Sequence, residues 1–531
     1  MGNVALSATA KPSGDQKLAI LLSMAMFVLV VDTSLMNVSI SAVIKDLHTT
    51  ASGVQSAIAL EALVSAAFIL IGSKVADLIG RKKAYIIGLL GYAIGALSMT
   101  LAHSLAPIII FWAVIGGLGA SLLLPSMQSL VHGNFEGKMQ QKAYALVGAA
   151  AAIAAAVGPL LGGFITTYFT WRLGFLLEVL IIAVVLFGIK LVHDVPYTGP
   201  REVDWLGAAL SVVGMGGTVL SILVWQEGGE AVLELLIIGI AAMSLFVWWL
   251  LRRKKQGKAS LIDPGLFKSK MFRLGISGQM FQQISLGGMM IALPIYLQMV
   301  LEYNAMAAGL TLAPLSLSMF SVALIAGRRA GRRRPSSVIQ FGYLLLTSGT
   351  LLLIPVVPRA SSGWPLVIPL LIAGSGLGLL VSQLNNYTLS PVTEERVSEA
   401  AGVNSAAGSF GLSFGLAFAG AIMLAVLSLT FTNMAKSSDV LSPVEQEQVS
   451  KALEHDAEIM SNSQLKGLLA GQSAAVQTEI LHINTEARHK ALQVALLIPL
   501  AAGAIGLGNS LRMVKLPDPK PSPAAEAAML G

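Results

Sequence analysis

The feature that most constrains this chain is a succession of apolar stretches about twenty residues long, beginning with Leu18 to Val43, LAILLSMAMFVLVVDTSLMNVSISAV. A helix rising 1.5 Å per residue needs about 20 apolar residues to cross a hydrocarbon core of ~30 Å, so each stretch reads as a membrane span. The first span carries one carboxylate, Asp32. A charge at membrane depth costs at least ~2.5 kcal/mol, so such a residue points to a substrate, ion or proton path. The competing reading is an acid satisfied locally by Thr33 or by a neighbouring helix.

Further spans are expected at Val54 to Ile71, Ala84 to Leu101, Pro107 to Val131, Ala143 to Tyr168, Leu173 to Val192, Trp205 to Trp225 and Ala231 to Leu251. After a basic linker come Phe272 to Leu301, Met306 to Ala326, Val338 to Val357, Pro365 to Leu389, Gly402 to Phe431 and Ala491 to Leu511, fourteen in all. With 12% charged residues, 55% hydrophobic residues and a mean hydropathy of +0.75, the composition is that of an all-α polytopic membrane protein. The absence of cysteine excludes disulfides, thiolate metal sites and cysteine nucleophiles. The polar start, MGNVALSATAKPSGDQK, precedes an apolar run too long for a signal-peptide core, so the first span is expected to be retained.

Alternate connections are strongly basic: Lys74, Arg81, Lys82 and Lys83, then Arg252 to Lys255, then Arg328, Arg329 and Arg332 to Arg334. By the positive-inside rule that face, with both termini, is cytoplasmic. The net charge of +7 is therefore a topology and anionic-lipid signal, and no nucleic-acid partner is expected. The polar, net acidic segment 433–489 falls on the opposite face. Leu453, Ile459, Leu465, Leu468, Leu469, Val476 and Ile480 recur there at near-helical spacing, which predicts a helical hairpin, read as a solvated cap without a chemical role.

Between spans two and three stands Ser73, Lys74, Val75, Ala76, Asp77, Leu78, Ile79, Gly80, Arg81, Lys82, Lys83, which resembles the signature loop of the major facilitator superfamily. The turn at Gly80 is expected to let Asp77 cap a helix end and pair with a basic residue across the two halves of the molecule. Gly158, Pro159, Gly162 and Gly163, followed by Trp171, Arg172 and Phe175, resemble the antiporter motif of drug exporters; the small residues permit close helix contact and Pro159 a bend. Asp32 and Asn37 match the first-span pattern of the QacA/EmrB-type, fourteen-helix drug:proton antiporters, and Gly402, Gly408, Gly411 and Gly415 resemble their thirteenth helix. The chain departs from that pattern at Ser73, Leu78 and Ser41. In the fourth span, Gly117, Gly119 and Pro125 align but Ala113 replaces the arginine to which the family assigns proton handling. The resemblance implies two six-helix bundles, 1–200 and 259–531, joined by two additional helices within 201–258.

Two acids stand where family members commonly carry other residues: Glu61 in the second span and Glu178 in the sixth. Counted along the helices, Asp32 lies about 21 Å from the basic face and Glu61 about 10 Å from the other, which is nearly the same depth in a ~30 Å core. Glu178 lies slightly nearer the outer face, where Arg172 is the nearby cation. Three carboxyls without an intramembrane Lys or Arg on their own six helices cannot all be ionised cheaply, so Asp32, Glu61 and Glu178 are the proton- or cation-coupling candidates, with Asp32 and Glu61 read as a pair. Asn37, Gln279, Gln282, Gln283, Asn385, Asn386, Asn404, Met289 and Met290 are candidates for an adaptable substrate cavity, or alternatively helix-to-helix glue.

The function these features imply is proton-coupled export of hydrophobic, cationic drugs by alternating access, by a monomer that needs no cofactor beyond the proton gradient. An exporter or flippase of a lipid-like amphiphile is the alternative. A membrane enzyme or receptor is disfavoured by the lack of metal-ligand spacing, of a phosphate-binding glycine loop and of a substantial soluble domain.

Overall fold

The computed structural model describes residues 16–135, 137–194, 202–329, 333–393, 396–444, 446 and 462–517. Among these, fourteen helices are long and apolar enough to span a membrane, as expected, and there is no β-strand. They are α1 Gln16–Leu47, α2 Ala51–Ile79, α3 Arg81–Leu101, α4 Leu105–Val131, α5 Lys142–Tyr168, α6 Trp171–Leu191, α7 Trp205–Gln226 and α8 Val232–Lys255. The remaining six are α9 Lys270–Val300, α10 Ala305–Arg328, α11 Pro335–Arg359, α12 Trp364–Leu389, α13 Glu399–Lys436 and α14 Ala474–Val514.

Short polar residues fix where these helices start. A helix leaves its first N–H groups without an internal partner, and they are met by Thr50 accepting from the Gly53 amide at 3.0 Å, Asp204 from Gly207 at 3.0 Å and Asn304 from Ala307 at 2.8 Å. The chain therefore turns sharply at the membrane faces and the helices alternate in direction.

Helices α1 and α3 to α6 pack together, with α2 against α4, and α9 packs against α13, α14 and α12 while α11 joins α12 and α14. Two antiparallel contacts tie the groups to each other, α2 to α13 and α5 to α10. The hairpin α7–α8 leans on α2 and α13 from the side, with α8 mostly exposed. At the basic face buried Asp204 ties this hairpin to the linker after α8: it accepts from Trp249 Nε1 at 2.9 Å and from the Leu261 amide at 3.3 Å, and Arg253 lies 3.7 Å away. Large apolar side chains such as Ile87, Leu90, Ile94 and Leu97 remain exposed along one side of α3, where lipid replaces water as the solvent.

Two helices depart from α geometry where polar contacts are made. Ile108 to Gly116 in α4 and Tyr296 to Val300 in α9 are π-helical; the wider turn re-aims side chains and recurs at functional positions. Trp112 and Gln298 lie on these turns.

The segment beyond α13 differs from the expectation of a solvated cap. Leu453 and Ile459 lie outside the described residues, but the short helix Asn462–Leu468 and the polar first half of α14 fold back onto the outer end of α9. Arg488, 1% exposed, donates to the Met299 carbonyl at 2.8 Å and to Asn462 Oδ1 at 2.7 Å. Apolar Ile480, Ile483, Ala487 and Ala491 join the main core, so α14 starts well before the apolar stretch that marked it in the sequence.

Candidate functional site

Asp32 is 1% exposed and is held by neutral donors from two other helices. Tyr92 on α3 donates its hydroxyl to Oδ2, and Trp112 on α4 donates Nε1 to Oδ1 and Oδ2 at 3.2 and 3.0 Å. Ala113, at the position where the resemblance leads one to expect an arginine, is fully buried, and the tryptophan one residue earlier supplies the donor. Close approach of α3 and α4 makes this reach possible. A Cβ on Gly119 would stand 2.7 Å from the Tyr92 amide nitrogen, and one on Gly88 would stand 2.9 Å from the Gly119 carbonyl oxygen.

The other two acids occupy different surroundings. Glu178 on α6 is 2% exposed, and neither carboxyl oxygen has a hydrogen-bond partner. Glu61, on α2, is partly exposed and does not hydrogen-bond to Asp32, whose carboxyl is taken by Tyr92 and Trp112. Arg172 does not hold Glu178. Its guanidinium bonds Asp46 at the end of α1 and the Ala102 carbonyl beyond α3, and it stacks on Trp171 with 4.6 Å between guanidinium carbon and ring centroid. Glu178 lies six residues deeper, about 9 Å along the helix, beyond the reach of a side chain committed to the outer end.

The motif of α5 sits between both groups of helices. Gly158 faces Ser34 and Gly162 faces the Leu35 backbone on α1, where added Cβ atoms would stand 2.5 and 2.9 Å away. On the opposite side a Cβ on Gly163 would stand 2.6 Å from the Ala305 carbonyl oxygen, and one on Gly309 would stand 2.2 Å from that of Pro159. These contacts close α5 on α10 toward the outer face. Nearby, Gln298 accepts from the Ser41 amide at 2.9 Å and donates to the Asn37 carbonyl at 3.1 Å, while Thr167 accepts from the Met306 amide at 2.9 Å.

Toward the basic face the same helices diverge around a cavity of about 680 Å³. Gln279, Gln282 and Gln283 from α9, Asn385 and Asn386 from α12 and Asn404 from α13 all line it, so six amides scattered over 126 residues of sequence converge. Gly411 and Gly415 allow this, since Cβ atoms there would stand 2.6 and 2.4 Å from the carbonyl oxygens of Met280 and Ile284, which sets α13 hard against α9. Three sequence candidates lie elsewhere. Asn37 belongs to the outer seal, where its carbonyl is engaged. Met289 is fully buried against Thr350 within the core of the second group, and Met290 packs on that core, because they stand seven residues beyond Gln282 and Gln283, about 10 Å further along α9 toward the outer face and past the cavity.

The loop between α2 and α3 also differs from expectation. Asp77 pairs with Arg81 four residues on, at 3.3 Å, within the loop itself. The start of α3 is met instead by Asp194, beyond α6, which accepts from the Lys82 amide at 3.0 Å. Gly80 has φ +98°, and a Cβ there would stand 2.6 Å from Asp194 Oδ2, so both its conformation and its surroundings require glycine.

The family model of the Major Facilitator Superfamily matches residues 22–416. The chain belongs to that superfamily. It is 28% identical over 410 residues to the multidrug resistance protein Stp of Mycobacterium tuberculosis, covering 76% of this chain and 75% of the relative. It is 27% identical over 411 residues to the multidrug export protein EmrB of Escherichia coli, covering 75% and 78%, and 26% identical over 406 residues to a probable actinorhodin transporter of Streptomyces coelicolor, covering 75% and 70%. The fold resembles that of a bacterial homologue of the human lysosomal transporter Spinster, solved inward-facing and unoccupied, with a TM-score of 0.61 at 14% identity over 96% of this chain and all of that one. The D-xylose-proton symporter gives a TM-score of 0.54 at 12% identity, over 82% and 94%. This superfamily member is a multi-pass plasma-membrane transporter and not an enzyme.

Sequence reasoning missed Tyr92, Trp112 and Asp194. A polar aromatic inside an apolar span is a weak signal, since Tyr and Trp also serve as packing. Only the meeting of α1, α3 and α4 at Asp32 gives these two a role.

Proposed function

We propose that this chain exports hydrophobic drug-like compounds from the cytoplasm in exchange for protons, by alternating access between two helix groups. The observation that carries this reading is the asymmetry of the α5–α10 contact: backbone touches backbone at Pro159 and Gly309, yet the helices part at their basic ends around the amide-lined cavity. A site accessible from one face and sealed at the other is one of the two states such a transporter requires. The positive-inside rule makes the open face cytoplasmic, as export demands.

Proton coupling is assigned to Asp32 and Glu178. A buried carboxyl with two unbonded oxygens is held most cheaply as the neutral acid, whereas a carboxylate receiving donors from Tyr92 and Trp112 tolerates charge. Two acids of unlike stabilisation in one helix group can thus hold one proton between them and exchange it when the helices move. Glu61, partly exposed, is the third acid on this path. The test is uptake into proteoliposomes carrying an acid interior, with rhodamine 123, fluorescein and a fluorescent lipid as cargo. Gradient-dependent uptake of either dye, abolished by a protonophore, is expected. Uptake of the lipid alone would replace the drug reading by the amphiphile one, and indifference of all three to the gradient would overturn proton coupling.

A further inference from the structure

Among the described residues, the charge lining the cavity at the basic face is of one sign. Arg328, in the last turn of α10, lines it, is exposed and makes no ion pair or hydrogen bond with another described residue. The neighbouring Arg329 and Arg333 line a separate recess of about 490 Å³. Among the described residues no carboxylate lines the cavity: Asp32, Glu61 and Glu178 all lie outside it. Among the described residues, a cation entering here would meet the Arg328 guanidinium and no opposite charge.

The amides set a second requirement, for hydrogen-bond donors on the ligand. Gln282 and Asn404 are 2% and 5% exposed, and Gln282 Oε1, Gln283 Oε1 and Asn404 Oδ1 are buried without a hydrogen-bond partner. Buried acceptors are costly to leave unpaired, so a fitting ligand brings donors such as hydroxyls. The opposite wall, from α5, is Ala145, Gly148, Ala149 and Ala152, a smooth surface of small residues, with Phe320 and Leu324 beside Arg328. That wall accepts a flat apolar body.

We propose that the cavity takes an anionic aromatic amphiphile, its carboxylate or phenolate on Arg328, its hydroxyls on the Gln282, Gln283 and Asn404 amides and its ring system against the small residues of α5. The proposal rests on the export reading and reverses the cationic cargo that the acids suggest in the sequence. Charge-assisted hydrogen bonds to a guanidinium are the strong ones, and here they choose the sign of the ligand.

The test is equilibrium fluorescence polarisation on the full chain in neutral detergent, with fluorescein as the anion and rhodamine 123 as a cation on the same xanthene core. Fluorescein is expected to bind at least tenfold tighter. Arg328→Gln should weaken fluorescein at least fivefold without weakening rhodamine 123. Ser382→Glu, which places a carboxylate on another wall of the cavity and leaves Arg328 in place, should shift preference toward rhodamine 123. Rhodamine 123 binding as tightly as fluorescein to the parent protein, or fluorescein affinity indifferent to both substitutions, would overturn the proposal. Binding requires no gradient, so a failure of proton coupling leaves this result standing, and a wrong sign of charge leaves proton-driven export standing.

Discussion

Trp112 Nε1 lies 3.2 and 3.0 Å from the two carboxylate oxygens of Asp32, so a neutral indole stands where relatives of this fold type are expected to place an arginine one residue later. The substitution changes the electrostatics of the site. An arginine would hold the aspartate as an ion pair, whereas Trp112 and Tyr92 meet it by hydrogen bonds alone, which is the arrangement the proposed proton exchange at Asp32 requires.

Removing those donors tests the arrangement. A hydrogen bond to a charged group contributes ~1.5–3 kcal/mol, so Trp112→Phe or Tyr92→Phe should reduce proton-driven transport by about tenfold or more. Asp32→Asn should abolish it. Dye affinity in the cavity should change less than about twofold in each, since none of the three residues lines it. Wild-type turnover in Trp112→Phe would show that the indole only fills space.

Glu178→Gln separates a proton carrier from a packing residue. The amide is nearly isosteric and removes a buried acid without partners, so the melting temperature should hold or rise while gradient-driven uptake falls at least as far as in Glu61→Gln. Unchanged uptake would reduce Glu178 to a structural acid. Had Arg172 held it, the substitution would break an ion pair and destabilise the protein; with Arg172 on Asp46, no such loss is expected.

The span count and the α5 motif were legible in the sequence because length, hydropathy and small-residue spacing are local properties. Convergence was legible only in part. Six amides proved to face one cavity, but Met289 and Met290, seven residues beyond Gln282 and Gln283 on the same helix face, lie two turns further along α9 in the core, a difference of depth that residue type alone does not reveal. Asp194 and Arg488 were not legible as fixed points, because each acts through partners over a hundred residues away: Lys82 in one case, Met299 in the other. Ala113 signalled a missing cation without showing what replaces it.

The contact of α5 with α10 should be intolerant of bulk. Gly309→Leu would drive a side chain into the Pro159 carbonyl, so it should force the outer ends apart and reduce transport to near background while the protein still reaches the membrane. The chain has no cysteine, so a single Ser41→Cys reports the seal cleanly. Labelling of that cysteine by a membrane-impermeant maleimide should be faster with Gly309→Leu than without it, and equal rates would place the seal elsewhere.

At the basic face Gly80→Ala combines a left-handed backbone with a clash on Asp194. Strain of this kind costs ~1–3 kcal/mol, so turnover and melting temperature should both fall. Asp77→Asn, which loses the ion pair with Arg81 inside the loop, should slow turnover and leave equilibrium dye affinity nearly unchanged, because the loop is remote from the cavity. A large loss of affinity with normal turnover would contradict this division.

The outer segment supplies the last test. Arg488 is buried among the Met299 carbonyl, the Asn484 carbonyl and Asn462, and Ser463 next to Asn462 donates through both amide and hydroxyl to Glu302. Partial burial pushes the Glu302 carboxyl up, but the Ser463 bonds and the Arg488 charge outweigh it and hold the group below the usual glutamate range. The stability from this clasp is therefore complete above a pH of about 4.3 and is lost only as pH falls through the lowered value, so it persists across the working range. Met299 directly follows Gln298, the residue that bolts α9 to α1, which couples the clasp to the outer seal. Arg488→Ala leaves buried carbonyls unpaired and should lower stability by roughly 2–4 kcal/mol. It should also speed hydrogen exchange over Asn462–Leu468 and accelerate labelling of Ser41→Cys. Arg488→Lys should rescue little, since an ammonium on a flexible stem cannot reach three acceptors as the planar guanidinium does. Accelerated exchange without any change at Ser41→Cys would confine Arg488 to anchoring the segment and uncouple it from the seal.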